Sequence, residues 1–411
     1  MPSSRLLVVS ESYWPDGSGG ELATHLIVNV LGREFEVTVI TGTKNPSKIP
    51  RVEYIYEPLL SRWEKLILWL NTLKLIRIDR FEKLLREADI VYVLRFAFPV
   101  IPYAKKMGKK VVVHLHGYIP ISYTATVLAP YEEHKHRITR DDVILECMKG
   151  AKHCVGASLL WWLPKLARKW ISMADKIICV SKRQAEIIAD QAPELKDKLT
   201  VVYNPLPLQL LNNEPRKELD EVPTFLYVGG DSYVKGFHIL LQALRELGKR
   251  SVKARFILAN AYTTKSLEEL KRLDEKYENL EIQVVGRLKY EEVVELHRKA
   301  WALIFPSICE ETFGYAVVEA MSLGTISIAS KVGGIKEVLV GSLAEGFLFS
   351  PGKVSELIKK IEDLYSLSIN EIKSLGYKLR GEMLEKFSPN KVEKIILKVF
   401  ADVTENYFYT S

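Results

Sequence analysis

Short apolar runs alternate with amphipathic stretches through the first half of the chain, which is the pattern of parallel strands joined by helices. Arg5–Ser10 predicts a buried strand, and a glycine-rich turn leads from it into a helix over residues 21–31. Further strands are predicted at residues 35–41, 52–56, 88–94, 110–115 and 174–181. This order of elements predicts a doubly wound α/β domain.

The same alternation restarts with a strand over residues 224–228, after a stretch rich in proline and acidic residues that is typical of a linker. The elements predicted beyond it are a helix at 237–247, strands at 281–285 and 301–305, and helices at 315–323, 353–367 and 370–387. A last helix is predicted from Ser388 to about residue 407. We therefore predict an N-terminal domain over residues 1–205 and a C-terminal domain over residues 206–389, followed by a final helix within 390–411.

Residues 62–77 carry more apolar surface than a helix on one side of a sheet needs. Their polar positions form a thin stripe, and Trp63 and Trp69 stand among basic residues. One interpretation is a helix that is buried from two sides. The other is a helix on the inner face of the cell membrane, where tryptophan favours the interface and basic side chains reach lipid phosphates.

Residues 119–150 are rich in charge, and we expect a loop insertion there. His134 and His136 lie close to glutamates in this stretch, so a metal site is an alternative to a solvated loop. No ligand with a matching spacing follows them, and we predict no metal site.

Length and composition exclude several classes of protein. A chain of 411 residues is too long for one compact core, so two domains are expected. With 47% hydrophobic and 27% charged residues the composition is typical of a soluble globular protein, and we expect no signal peptide and no membrane-spanning helix. The net charge of +7 fits anionic substrates or an anionic membrane surface and does not require nucleic acid as a partner.

The four cysteines, at positions 147, 154, 179 and 309, are widely spaced and form no C-x-x-C pair. We therefore expect neither a disulfide framework nor a zinc site. Such a pattern fits a reducing compartment, and the expected location is the cytoplasm.

The most informative stretch, residues 307–321, joins a buried strand to an apolar helix. Glu319 stands among apolar neighbours in that helix, where a carboxylate is costly unless something pairs with it. Gly314, at the start of the helix, leaves room for a phosphate beside backbone amides. From residue 314 to residue 319 the helix rises about 7–8 Å, at about 1.5 Å per residue, which is about the span from a diphosphate to a ribose. Glu319 is thus a candidate ribose ligand, and Glu311, before the helix, a candidate for the group beyond the phosphates.

A structural interpretation of these two glutamates stands beside the functional one. Glu311 would then be a solvated loop residue, and Glu319 a core residue satisfied by a neighbouring arginine or lysine. Two glutamates at this spacing are too common by themselves to decide between the interpretations.

Two other loops place candidate residues after strands. Lys235 lies at the start of the helix over 237–247, where it can meet a diphosphate. His116 follows the strand over 110–115 and precedes a glycine, at the edge where α/β proteins bind ligands. We expect His114 to face the opposite way. The alternatives are a surface lysine and a structural histidine.

The sequence Pro306-Ser307, followed by Glu311-Thr-Phe-Gly314 and Glu319-Ala-Met321, resembles the signature of family 4 of the retaining glycosyltransferases, the group 1 glycosyl transferases. The order of the other loops agrees with that family across nearly the whole chain. The resemblance implies the GT-B fold, in which two doubly wound Rossmann-like domains face a central cleft and the final helix crosses back to the first domain.

The resemblance also implies a function. The donor would be a nucleotide-diphosphate sugar bound mainly by the C-terminal domain, and the acceptor a glycan or lipid-linked glycan on the N-terminal side. Catalysis would rest on Glu311, Lys235 and His116. The donor would be held by Gly19, Gly20, Phe313, Gly314 and Glu319. The donor is a substrate, and neither a metal nor another cofactor is expected.

The chain departs from the family at one position, because Gly230 stands where the family usually has an arginine. We therefore expect Lys235 to carry most of the charge of the leaving diphosphate, with Arg287 as a second candidate cation. No side chain stands out as a covalent nucleophile, so we expect front-face attack with electrostatic stabilisation of the leaving group.

Two rival functions fit the same pattern. A nucleotide-sugar epimerase shares the GT-B layout. A catalytically inactive subunit that binds sugar nucleotides would explain the missing arginine. An oxidoreductase is disfavoured, because no G-x-G-x-x-G motif follows a strand.

Overall fold

The structure, a computed structural model, describes residues 4–62, 64–207, 210, 217–250 and 252–408, with side chains as far as residue 404. Trp63, on which the membrane interpretation of residues 62–77 partly rests, lies outside the described residues. So do residues 208, 209 and 211–216, which are part of the predicted linker over residues 206–223.

The first compact unit comprises Met1–Val127, Lys135–Pro205 and Pro389–Ser411. Its strands are β1 (Arg5–Ser10), β2 (Glu36–Thr41), β3 (Glu53–Tyr56), β4 (Ile90–Leu94), β5 (Lys110–Leu115), β6 (Lys176–Cys179) and β7 (Leu199–Val201). Its helices are α1 (Gly19–Leu31), α2 (Lys65–Leu75), α3 (Asp79–Glu87), α4 (Val100–Lys106), α6 (Ile138–Lys149), α7 (Ala151–Leu160), α8 (Leu163–Ile171), α9 (Lys182–Gln191) and α17 (Pro389–Phe408). In the described residues the strands form one parallel sheet in the order β3-β2-β1-β4-β5-β6-β7.

The second unit comprises Leu128–His134 and Leu206–Ser388. Its strands are β8 (Thr224–Tyr227), β9 (Ala254–Ala259), β10 (Leu280–Gly286), β11 (Ala302–Phe305), β12 (Ile326–Ser330) and β13 (Leu348–Phe349). Its helices are α5 (Tyr131–His134), α10 (Phe237–Gly248), α11 (Thr264–Lys276), α12 (Tyr290–Lys299), α13 (Tyr315–Ser322), α14 (Gly333–Leu339), α15 (Val354–Tyr365) and α16 (Ile369–Lys386). Among the described residues the strands form a parallel sheet in the order β10-β9-β8-β11-β12-β13.

The order of strands reverses at β1 and β4 in the first sheet and at β8 and β11 in the second. In an open parallel sheet the crevice at such a switch point, outside the carboxyl ends of the strands, is the place where ligands bind. The loops that follow these four strands carry Glu11, Arg95, Lys235 and Glu311. The topology thus places Glu11 beside Arg95 in the first unit, and Lys235 beside Glu311 in the second.

The final helix, α17, contributes to the core of the first unit. Ile396 and Phe400 are fully buried in the same cluster as Val8 of β1 and Tyr92 of β4. The Phe400 ring meets the Tyr92 ring edge-on at 5.1 Å. The apolar face of the helix is therefore part of the packing over the sheet, as its amphipathic pattern requires.

The loop insertion expected over residues 119–150 is wrong where helix α6 forms. The charges there are not all solvated, because Asp142 is only 3% exposed. Its carboxylate accepts hydrogen bonds from Ser122 Oγ at 2.7 Å and from Tyr123 N at 2.7 Å. The charge-rich sequence was interpreted as a solvated loop. The Asp142 carboxylate is instead buried, because it accepts hydrogen bonds from a neighbouring turn.

The expectation that the chain has no disulfide is wrong for Cys147 and Cys154, which are bonded to each other. Helix α7 folds back beside α6 after Gly150, and this brings the two Cα atoms to 4.0 Å. Cys179 and Cys309 are free and buried. The argument from unpaired cysteines to a reducing compartment therefore loses its premise.

Helix α2 turns its tryptophan, Trp69, into the core, so the membrane interpretation is wrong for this residue. Trp69 is 2% exposed, its indole donates a hydrogen bond to Phe96 O at 2.8 Å, and its ring meets Trp170 edge-on at 4.9 Å. Lys65 is also turned inward, because its ammonium donates to Tyr123 O and lies 4.8 Å from that ring's centroid. For these two residues the interpretation as a buried helix is correct.

Replacing Trp69 with serine is expected to destabilise the first unit by about 3–5 kcal/mol, because it opens a large cavity and leaves Phe96 O without its donor. Leu70→Ser is the matched control: Leu70 is the next residue of the helix and is 52% exposed, so its change is expected to stay within about 0.5 kcal/mol. Denaturant unfolding compares the two variants. Equal stability of both would show that Trp69 does not pack as described.

Candidate active site

The loop between β11 and α13 carries the two glutamates that the sequence singles out. Glu311 is 9% exposed, and its Oε1 accepts a hydrogen bond from Ser307 Oγ at 2.6 Å. Lys235 reaches the same carboxylate, with its Nζ 2.7 Å from Oε1 and 3.0 Å from Oε2. Two predicted catalytic residues that are 76 positions apart therefore form one ion pair.

Backbone contacts fix this ion pair. Val234 O accepts hydrogen bonds from Ile308 N and from Ser307 Oγ, both at 3.0 Å. The loop after β8 is thereby held against the loop after β11, and Lys235, the next residue, points at Glu311. The interpretation of Glu311 as a solvated residue is wrong, whereas Lys235 is paired with Glu311 and keeps a 38% exposed side chain.

The charges of the pair support each other. Burial by itself would raise the pKa of Glu311, but the Lys235 charge and the hydrogen bonds from Lys235 and Ser307 outweigh it and hold that pKa below its ordinary value. Burial would likewise lower the pKa of Lys235, and the Glu311 carboxylate instead keeps it raised. Both groups are therefore ionised at neutral pH.

Gly314 is the N-cap of helix α13, with φ of +82°. A Cβ at this position would come within 2.0 Å of Ile335 Cδ1. Both the left-handed backbone and the close packing require glycine here, so the residue also serves packing and not only the approach of a ligand. Phe313, the residue before it, is 3% exposed and packs edge-on against Phe387 at 5.3 Å.

Glu319 lies in helix α13 among buried neighbours. The Tyr290 hydroxyl faces this carboxylate and interacts with it, but Oε1, which is sealed from solvent, makes no hydrogen bond of ordinary geometry among the described residues. Burial raises the pKa of Glu319 to about 7, and the nearby Tyr290 offsets only part of that rise. No arginine or lysine of the described residues pairs with Glu319, contrary to the structural interpretation. A buried polar atom without a partner is a candidate for a ligand contact.

Glu310 is a residue that sequence reasoning missed. It is 2% exposed, and its two oxygens accept hydrogen bonds from Tyr131 N at 2.7 Å and from Gly333 N at 2.6 Å. It holds the segment Leu128–His134 and the start of α14 beside the Glu311 loop. Two adjacent acids in sequence thus have separate roles, one in positioning the loop and one facing Lys235.

The arginine that the family usually has at position 230 cannot simply be restored. Gly230 has φ of +62°, and a Cβ there would come within 2.9 Å of Ala261 O. Arg287, the second candidate cation, follows β10 at the outer edge of the sheet, is exposed, and forms no ion pair with any residue of the described ranges. The structure does not bring Arg287 to the Lys235–Glu311 pair.

The first unit brings together two other predicted residues, Gly20 and His116. Helix α1 begins at Gly19, and a Cβ at Gly20 would lie 3.5 Å from His116 Cγ, which is ordinary contact. Burial, followed by the nearby Arg95 charge, lowers the pKa of His116 to about 3. A neutral imidazole thus stands beside the N-terminal end of a helix, which favours anions.

The expected orientation of His114 is wrong. Its ring stacks on that of His116 with the centroids 4.3 Å apart, because residues two positions apart on a strand share a face. The Tyr92 hydroxyl lies 2.6 Å from His114 Nδ1. His114 is thus the buried support of His116.

A buried cluster of charges, also missed from sequence, lies at the same edge of the first sheet. Arg95 follows β4 with φ of +59°, and this turn directs its guanidinium back to Glu11 after β1, with Nε 2.9 Å from Oε1. Its Nη1 donates to Glu21 in the first turn of α1. Both carboxylates are almost fully buried, at 4% and 0% exposure. The available signal was only that Glu11 and Arg95 stand directly after predicted strands.

Two family models match this chain. The model of the glycosyl transferases group 1 matches residues 212–381, and the model of glycosyltransferase family 4 matches residues 17–210. The chain belongs to glycosyltransferase family 4, group 1. The resemblance drawn from the sequence motifs is confirmed.

Curated relatives of this glycosyltransferase match it over part of their length. It is 30% identical to an uncharacterized glycosyltransferase of Methanocaldococcus jannaschii, over 56% of this chain and 61% of that one. It is 28% identical to the gpi3 subunit of phosphatidylinositol N-acetylglucosaminyltransferase of Schizosaccharomyces pombe, over 43% of this chain and 38% of that one. The chain thus spans less than two thirds of the length of either relative.

The fold of the glycosyltransferase is that of solved relatives. The crystal structure of HepE from Anabaena in complex with UDP-glucose aligns with a TM-score of 0.68 at 17% identity, over 97% of this chain and 99% of that one. The predicted α/β fold of the GT-B type is confirmed.

Two features are absent from the residues that the structure describes. These residues contain no group of three or more histidine, cysteine, aspartate or glutamate residues that is arranged to hold a metal ion. None of the helices in the described ranges combines the length and the apolar character needed to cross a bilayer.

Proposed function

We propose that this glycosyltransferase moves a sugar from a nucleotide-diphosphate sugar to an acceptor hydroxyl with retention of the anomeric configuration. The observation that carries the proposal is the Lys235–Glu311 ion pair, which lies in the same loop system as the N-terminal end of α13 and the unpartnered Glu319 oxygen. Lys235 and the N-terminal end of α13 suit a diphosphate. Glu311 can accept hydrogen bonds from the sugar, and Glu319 from the ribose.

In the proposed reaction the bond from the anomeric carbon to the diphosphate oxygen breaks, and the acceptor oxygen forms its bond on the same face of the sugar. The acceptor's proton leaves with the diphosphate oxygen. Lys235 and the amides near Phe313 and Gly314 stabilise the charge that develops on the leaving group. Glu311 accepts hydrogen bonds from the sugar and keeps Lys235 in position.

In the first unit we assign His116 to the sugar and phosphates, and the turn at Gly19 and Gly20 to a further phosphate contact. The acceptor is a glycan or a lipid-linked glycan. The name of the phosphatidylinositol-specific yeast relative supports a lipid-linked one. Such an acceptor would place the enzyme at the inner face of the cell membrane.

A donor panel tests this proposal. Thermal unfolding is measured with different nucleotide sugars, beginning with UDP-glucose, because the Anabaena relative was crystallised with it. A ligand at a hundred times its dissociation constant is expected to stabilise the protein by about 2.7 kcal/mol. The donor that stabilises most is then incubated with candidate acceptors. Epimerised donor formed without any acceptor would favour the epimerase, and binding without transfer to any acceptor the inactive subunit.

Glu319→Gln is expected to weaken nucleotide binding at pH 8 by about tenfold or more, because a hydrogen bond to a charged group contributes about 1.5–3 kcal/mol. Burial raises the pKa of Glu319 to about 7. Ribose hydroxyls stabilise the ionised form, so wild-type affinity should rise as pH increases from 6 to 8. The variant should lack that rise. Isothermal titration at both pH values measures the effect.

Glu291→Gln is the matched control, since Glu291 also acts on Tyr290 but is exposed. It should bind nucleotide as the wild type does. If Glu319→Gln kept both the wild-type affinity and its dependence on pH, Glu319 would not be a ribose ligand.

A further inference from the structure

A helical hairpin of the first unit exposes large apolar side chains to solvent. Helix α6 and helix α7 form the hairpin, and a short corner leads from it into α8. The exposed residues are Ile144 (46%), Met148 (55%), Val155 (59%), Leu159 (68%), Trp161 (46%) and Trp162 (40%). Single exposed apolar residues are ordinary, but six of them on one helical hairpin and its corner indicate an interaction surface. We call these six residues the hairpin patch.

The patch follows the helical repeat. Val155 and Leu159 of α7 are four positions apart, and so are Ile144 and Met148 of α6, so each pair lies on one side of its helix; Trp161 and Trp162 follow α7 in the corner. Such a stripe at the surface of a folded unit is unexplained by packing within that unit.

The hairpin is a fixed part of the fold. The disulfide between Cys147 and Cys154 ties its two helices together. Glu146 is 8% exposed and binds Lys149 Nζ at 2.6 Å and His153 Nδ1 at 3.3 Å. The exposed side chains are therefore presented on a rigid support.

Basic side chains predominate around the patch, because the acidic residues near Ile144, which are Asp141, Asp142 and Glu146, are buried. Between residues 147 and 174 the chain contains no aspartate or glutamate. The basic residues of the same stretch are Lys149, Lys152, Lys165, Arg168 and Lys169. An apolar surface surrounded by basic residues is complementary to a partner that has an apolar interior and an anionic surface.

A groove of about 900 Å³ adjoins the patch. Ile144 and Trp161 of the patch form part of its lining, and four basic residues form another part: Lys135, His136, Arg137 and Arg140. No acidic residue lines it in the described part of the chain. Basic groups directly beside exposed apolar groups suit a molecule whose anionic head group is joined to an apolar tail.

We propose that the hairpin patch docks this glycosyltransferase on an anionic lipid bilayer, with lipid phosphates in the basic groove. Trp161 and Trp162 suit the interfacial region, where tryptophan is enriched, and the lysines can extend to phosphates. The surface differs from residues 62–77, of which Trp69 is buried. It is proposed independently of the donor site.

Co-sedimentation with vesicles tests the proposal without donor or acceptor. The wild type should bind vesicles of phosphatidylglycerol and phosphatidylcholine at low salt, bind pure phosphatidylcholine vesicles at least tenfold more weakly, and dissociate as salt is raised. The double variant Leu159→Ser, Trp162→Ser should lose most binding. Arg140→Gln and Lys152→Gln should each weaken binding by about fivefold, because one basic residue contributes about that factor near an anionic surface.

The controls lie in the other unit. Leu343 is 50% exposed and Lys271 has a 76% exposed side chain, so Leu343→Ser and Lys271→Gln should bind as the wild type does. All the substituted side chains are exposed or half exposed, so the variants are expected to keep the wild-type melting temperature.

Any of three results would overturn the proposal. The wild type could fail to bind anionic vesicles, it could bind neutral and anionic vesicles equally, or the patch variants could bind as strongly as the wild type. Release by millimolar inorganic phosphate would assign the groove to small anions instead. A dimer in sedimentation velocity that the patch variants abolish, without vesicle binding, would assign the surface to a second copy of the chain.

Discussion

Lys235→Ala is expected to lower the rate of sugar transfer at least about a hundredfold. Lys235 is the cation beside Glu311, with its Nζ 2.7 Å from the carboxylate, and Gly230 stands where the family usually has an arginine. Removing one charge-assisted contact to a developing anion costs about 2.7–4 kcal/mol of transition-state stabilisation. Each 1.36 kcal/mol corresponds to a factor of about ten in rate. Single-turnover transfer at saturating donor measures the change.

The same variant leaves the buried Glu311 carboxylate without its cation, so lost positioning must be separated from lost charge. The double variant Lys235→Ala, Glu311→Gln removes the unpaired charge and keeps an acceptor for Ser307. If Lys235 acts on the leaving group, the double variant stays as slow as Lys235→Ala. Recovery in the double variant would mean that the single variant fails through the unpaired Glu311.

Arg287→Ala is the matched control for Lys235, because it removes a second cation that the sequence proposes and that is exposed in the structure. It should change the rate by less than threefold. A loss below tenfold in Lys235→Ala, together with a large loss in Arg287→Ala, would transfer the role to Arg287. Gly230→Arg is not expected to rescue Lys235→Ala, because the left-handed backbone at Gly230 strains any side chain.

Arg95→Met is expected to destabilise the first unit by about 3–5 kcal/mol at pH 8, because removing one member of a buried ion cluster leaves its partners uncompensated. Those partners are Glu11 and Glu21, whose side chains are 2% and 1% exposed. Burial already raises the pKa of Glu11 against the opposing effect of Arg95. Without the arginine that pKa rises further.

The sign of the pH dependence follows from that raised pKa. A carboxyl group whose pKa is higher in the folded than in the unfolded protein costs stability as pH rises through the interval between the two values. The variant's deficit should therefore be larger at pH 8 than at pH 5. Hydrogen exchange in peptides from β1 and β4 measures it in this unit alone.

Arg33→Met provides the comparison. Arg33 forms an exposed ion pair with Glu393 at 3.1 Å and its side chain is 52% exposed, so its loss should cost less than about 1 kcal/mol at either pH. An equally small and pH-independent effect of Arg95→Met would mean that the two carboxylates are satisfied without it.

Much of the fold follows from local sequence. The apolar runs of β1, β5 and β11 are long enough for buried strands and too short for helices, and polar or glycine-containing residues follow each of them. The α13 helix could be predicted with Glu319 in it, because its apolar neighbours leave a carboxylate conspicuous. The parallel α/β class depends only on this order of elements.

Sequence reasoning failed where the partner of a side chain is distant. Charges on α6 resembled a solvated loop, because nothing nearby in sequence shows that Asp142 bonds the turn at Ser122. The pairing of Cys147 with Cys154 required the reversal of the chain between two helices. The burial of Trp69 depends on Trp170, which is 101 positions away (170 − 69).

The sequence by itself determined the alternation of strands and helices, the family, and which residue types stand at the ends of the predicted strands, because periodicity and short motifs are local properties. The tertiary structure decided which of those residues meet. Lys235 and Glu311 form an ion pair because β8 and β11 are neighbours in the sheet, and Arg95 joins Glu11 because β1 and β4 are neighbours. A strand's neighbours are chosen by the packing of the whole sheet, and no window of sequence contains that information.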